Sequence, residues 1–123
     1  MSNIRDWMKQ AVAVWYGTAS GTPSSDGAGS ISVSNVPAGF KWFAIGGAGV
    51  LPGTNNPRIN SISITDGDTH YSSSNSATGV VQRVVSNGTV GASPGTITLS
   101  YNLSLDGGSS VVDLVVIAVK AQP

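Results

Sequence analysis

Ile97-Thr98-Leu99-Ser100-Tyr101-Asn102-Leu103-Ser104-Leu105 sets an apolar side chain at every second position, the longest strict alternation in the chain. That period belongs to a β-strand with one face in a core and the other in water. Asp106-Gly107-Gly108 follows directly, and Asp and Gly accept the positive φ that a tight turn requires. Beyond it Val111-Val112-Asp113-Leu114-Val115-Val116-Ile117-Ala118-Val119 is apolar on both faces, as a central strand covered on both sides would be. The stretch reads as a terminal hairpin and makes the chain a β protein.

The same signals recur toward the N-terminus. Ile31 and Val33 alternate with Ser30, Ser32 and Ser34; Val36-Pro37-Ala38-Gly39 turns into the aromatic strand Phe40-Lys41-Trp42-Phe43-Ala44-Ile45. Ile62 and Ile64 alternate with Ser61, Ser63 and Thr65 and end at the turn pair Asp66-Gly67. Val80 to Val85 forms a further strand that Asn87-Gly88 closes, and His70-Tyr71 opens a short edge strand before the Ser-rich stretch Ser72 to Ser76. Gly17 to Gly29 reads as a mobile polar loop and Gly46 to Gly53 as a flexible connection. For Ala11 to Tyr16 two readings stand. The residues continue a helix begun at Ile4, or they form a strand after one or two helical turns, which Val12, Val14, Trp15 and Tyr16 favour.

Seven or eight short strands with no crossover helix predict an all-β antiparallel sandwich, a jelly roll or Greek key, and exclude a parallel α/β fold. A short helical or extended segment, residues 1–10, precedes one sandwich domain, residues 11–123. Composition agrees: the chain has 123 residues, 40% hydrophobic and only 10% charged, so Ser, Thr, Asn and Gly must cover its surface. Lys+Arg and Asp+Glu are balanced at six each for zero net charge. No long-range field draws nucleic acid or an anionic membrane, and little repulsion keeps copies apart. No segment has the apolar length of a membrane span, and the start Met1-Ser2-Asn3-Ile4-Arg5-Asp6-Trp7 lacks a secretory signal, so a cytoplasmic origin is expected.

Catalytic chemistry finds little material. There is no Cys, no Glu and a single His, His70, and no Gly-x-Ser-x-Gly elbow, so the chain reads as a non-enzyme without a cofactor. Asp66, Asp68 and His70 would share one face of an extended strand and could ligate a divalent cation. Asp66-Gly67-Asp68 read as a turn breaks that geometry, and the turn is the preferred reading. Gly46 to Gly53 lacks the Lys-Ser/Thr and the helix of a phosphate loop. Binding residues are better represented. Trp42 and Phe43, adjacent on a strand, face opposite sides of the sheet, and Trp42, Tyr16 and Tyr71 are candidates for a sugar-binding or subunit surface. Ile4, Trp7 and Met8 form a small apolar stripe suited to docking on a second copy or another protein.

The unprocessed start Met1 to Gln10, the absence of Cys, the Ser/Thr/Gly-rich strands Ile31 to Val36 and Asn60 to Thr65, and the hairpin near Pro123 together resemble small structural proteins of tailed bacteriophages. These are capsid-decoration or head-fibre proteins and the β domains of tail fibres. The resemblance implies a virion location, a homo-oligomer (often a trimer in that class) and a viral coat or tail protein as partner. A lectin-like module that binds a surface glycan is the competing expectation. Neither nucleic acid nor membrane is expected as a partner.

Overall fold

The structure, a computed structural model, describes residues 13–51, 57–67, 72–75 and 81–120. They form eight strands: β1 (Ala13–Gly21), β2 (Gly27–Val36), β3 (Lys41–Leu51), β4 (Arg58–Thr65), β5 (Ser72–Asn75), β6 (Val81–Thr89), β7 (Gly95–Ser104) and β8 (Ser109–Lys120). Two four-stranded sheets have the orders β1-β8-β3-β6 and β2-β7-β4-β5, with every pairing antiparallel. Each strand pairs with the one equally far from the opposite end of the series: β1 with β8, β2 with β7, β3 with β6, β4 with β5. The chain is thus one long hairpin, its apex at β4 and β5, wound into two layers that further β3·β8 and β4·β7 pairings close. That winding is the jelly roll.

The core lies between the layers. Trp42, Ile59, Ile62, Ile64, Ile97, Leu99, Leu103, Leu105 and Leu114 are among its fully buried side chains. Most come from alternate positions of the strands, as the period of two dictates, while an irregularity between Ile59 and Ser61 sets Ile59 and Ile62 three apart, both inward, and Leu105 follows β7. Trp42 is opposite Gly88 in the β3·β6 register. Its indole covers that glycine so closely that a Cβ there would stand 2.7 Å from Nε1.

Several expectations are corrected. Asp106-Gly107-Gly108 is a tight turn, with Asp106 at φ 48°, Gly107 at φ 84° and a 2.7 Å Gly108 N–H bond to the Leu105 carbonyl. It joins no hairpin, because β7 and β8 belong to different sheets. Gly17 to Gly29 is mostly strand: β1 runs to Gly21 and β2 starts at Gly27, since pairing with β8 and β7 supplies backbone partners that Gly, Ser and Thr take as readily as any residue. The short connection left is pinned by Asp26, which accepts the Leu105 N–H at 2.7 Å, and by buried Ser110, which donates to the Pro23 carbonyl at 2.7 Å. Gly46 to Val50 belongs to β3, and Gly46 to Gly49 lie between two partners, β6 and β8. Asn87-Gly88 lies inside β6, where Gly88 makes room for Trp42. Ser72 to Asn75 of the Ser-rich stretch are themselves β5. In the described part of Ala11 to Tyr16, from Ala13 onward, the strand reading holds.

Candidate functional site

β8 is central in its sheet, as its sequence predicts, but only one of its faces is covered. A two-layer sandwich buries the inner face of each sheet, and among the described residues no helix or further strand lies over the outer one. The apolar residues on the second face of β8 therefore meet water, together with those of its neighbours. The exposed large hydrophobics Val14 and Tyr16 of β1, Phe43, Ile45 and Leu51 of β3, Val81 and Val85 of β6, and Val111 and Ile117 of β8 all belong to this sheet.

The register arranges them in rows across β1-β8-β3-β6. One row is Tyr16, Ile117, Phe43 and Asn87; the next is Thr18, Val115, Ile45 and Val85. Tyr16 is 65% exposed, Phe43 53% and Val85 62%. Phe43, Ile45, Val85, Asn87, Val115 and Ile117 line an open groove of about 400 Å³. Such a contiguous apolar surface is uncommon on a chain that remains alone in water.

The following row is Ser20, Asp113, Gly47 and Arg83. Arg83 reaches from β6 across β3 to Asp113 on β8, its Nη1 donating to both carboxylate oxygens at 2.7 and 2.8 Å. Gly47 makes the crossing possible, since a Cβ there would lie 2.7 Å from Arg83 Cδ and 2.6 Å from the Gln82 carbonyl oxygen. The side chains are 56% and 40% exposed, so the pair stabilises the fold by no more than about 1 kcal/mol. Its larger effect is on the face, where these two charges cancel and leave Lys41, exposed at the start of β3.

The opposite sheet presents a different surface. Ser32 and Thr98 share a hydrogen bond of 2.8 Å, and the Asn60 amide donates to Asn102 Oδ1 at 3.0 Å and to Ser104 Oγ at 2.9 Å while its Oδ1 accepts from Arg58 Nε at 3.1 Å. These polar side chains satisfy one another. The sandwich is two-sided, one outer face polar and the other apolar.

The sequence-derived candidates separate accordingly. Tyr16 stands on the apolar face. Trp42 does not: it is 0% exposed, and the outward member of the aromatic pair is Phe43, because the pleat sends adjacent residues to opposite faces. A core indole cannot stack on a sugar. Ile4, Trp7, Met8, Tyr71, Asp68 and His70 lie outside the described residues. Asp66 follows β4, and Gly67, at φ 91°, donates its N–H to Thr65 Oγ1 at 3.2 Å, a turn geometry. Sequence reading missed Val14, Ile45, Val81, Val85, Val111 and Ile117 as surface residues. Their signal was the doubly apolar β8 itself, which needs an outside cover that no helix among the described residues supplies.

No family model matches the chain, and no curated protein matches it. Among solved structures it is similar to the P-domain of Macrobrachium rosenbergii nodavirus, with 10% identity and a TM-score of 0.41 over 89% of this chain and 94% of that one. It is also similar to PliG of Aeromonas hydrophila, a periplasmic inhibitor of g-type lysozyme, with 14% identity and a TM-score of 0.37 over 91% and 90%.

Proposed function

We propose that the chain is a non-catalytic structural protein of a phage particle, decorating or cementing its capsid or contributing to a fibre or tail, and that it attaches through the outer face of the β1-β8-β3-β6 sheet. The observation that carries this reading is the contiguous apolar surface of Tyr16, Ile117, Phe43, Ile45, Val115 and Val85, crossed by one self-neutralised ion pair. Each large side chain there is already partly covered by its sheet and gains roughly 1–2 kcal/mol on full burial, so a protein surface that covers several of them is held in place. The small, weakly charged, Cys-free composition supports an assembled end state. The glycan reading is weaker, because its leading residue, Trp42, is core and the groove offers mostly apolar side chains to a sugar's hydroxyls.

Co-sedimentation of the full chain with purified phage shells and tails tests the proposal. The wild-type chain should pellet with one of them, and Ile45→Asp, on an exposed position, should remain in the supernatant with an unchanged circular dichroism spectrum. If the chain pellets with neither, or Ile45→Asp binds as well as wild type, the reading fails.

A further inference from the structure

We infer that the occupant of this face is a second copy of the same chain, packed face to face about a two-fold axis that runs along the strands between β8 and β3. The inference rests on the proposed reading of this face as the one through which the chain assembles: the face-to-face pair is the unit that joins the particle, so Ile45→Asp, which breaks the pair, removes binding with it. The register is its basis. Such an axis lays β1 of one copy over β6 of the other and β8 over β3, with the rows preserved.

Each row then meets a suitable row. Tyr16 comes over Asn87 and enters the groove beside Phe43 and Val85, its hydroxyl meeting the Asn87 amide. Ile117 comes over Phe43, Val115 over Ile45, and Thr18 over Val85. Asp113 comes over Gly47 and the Arg83 side chain that crosses it, so the ion pair of each copy meets that of the other. The aromatic that projects farthest from β1 thus faces the groove at β6. A face that supplies both the projection and the recess is self-complementary, as an isologous interface must be.

Area points the same way. With strands about 4.8 Å apart and a rise of about 3.4 Å per residue, the 11-residue β3 and its neighbours span a face of roughly 600–700 Å² per copy. Two copies would cover roughly 1,200–1,400 Å², above the ~1,000 Å² expected of a specific interface. Arg83 and Asp113 cancel within each copy, and Lys41, exposed on the same face of β3, comes over Val119 of the other copy.

Sedimentation equilibrium of the full chain, up to concentrations of about 100 µM, should give twice the 12.4 kDa monomer mass. Val85→Asp and Ile117→Asp, both on exposed positions, should each raise the dissociation constant at least tenfold, a shift of about 1.4 kcal/mol, without moving the thermal melt of samples dilute enough to be monomeric. The absence of Cys allows a test of the axis. Tyr16→Cys and Asn87→Cys chains, mixed and treated with a short bismaleimide, should cross-link to each other, while neither should cross-link to itself, because like positions fall on opposite edges. A monomer throughout, an association unaffected by Val85→Asp, or self-cross-linking of Tyr16→Cys would each overturn the inference. A monomer that still pellets with phage shells through Ile45 leaves the proposed function standing; a monomer that binds nothing removes both.

Discussion

Gly88 shows how a single missing side chain shapes this core. Trp42 is the bulkiest fully buried residue, and its indole occupies the place of a Cβ at the opposing position on β6. Gly88→Ala must displace an indole held by packing on all sides, so a loss of about 1–3 kcal/mol is expected in urea-induced unfolding, the usual cost of overpacking. An unchanged midpoint would mean that the indole has room to tilt. Asp113→Asn works through charge alone on a half-exposed pair, and it should cost less than about 1 kcal/mol, with the difference shrinking as salt is added. A larger loss would assign the bridge a structural weight that its exposure does not support.

Among the elements, the β7–β8 connection carries the most demanding local geometry. Both of its central residues, Asp106 and Gly107, have positive φ. Gly107→Val forces a β-branched side chain into the left-handed region and should lower stability by about 1–2 kcal/mol in the same assay. Equal stability would show that the turn relaxes to another type. The residues at this turn were legible in the sequence, but its role was not: a hairpin and a sheet-to-sheet crossover use the same Asp-Gly chemistry, and only the strand order separates them. β2, β4, β7 and β8 were legible because their side chains alternate or run apolar. The second half of β3 was not, since Gly46 and Gly47 carry no pattern and owe their extended state to β6 and β8 on either side. Asn87-Gly88 misled for the opposite reason, a strong local turn signal overridden by the pairing of β6 with β3. At the candidate site, the outward position of Phe43 and Ile45 follows from the parity of Trp42 and Ala44. The joining of Arg83 to Asp113, 30 residues away in sequence, required the fold.

For the whole molecule, all eight strands lie between Ala13 and Lys120. Deleting residues 1–10 should therefore leave a chain that unfolds in one cooperative transition with a β-type circular dichroism spectrum; loss of that transition would make the segment part of the core. The pairing of β1 with β8 has a further consequence. Ala13 and Lys120 are direct cross-strand partners, so the first and last strands begin and end side by side. A short peptide linking them would close the chain into a ring with little strain, and the ring could be reopened in the exposed Gly91-Ala92-Ser93-Pro94 connection between β6 and β7. Such a circular permutant should fold to the same jelly roll. Cargo fused directly at Ala13 and at Lys120 would emerge from one corner of the sandwich, beside the β1 edge and clear of the β6 edge, where two polypeptides could be displayed together from a single scaffold.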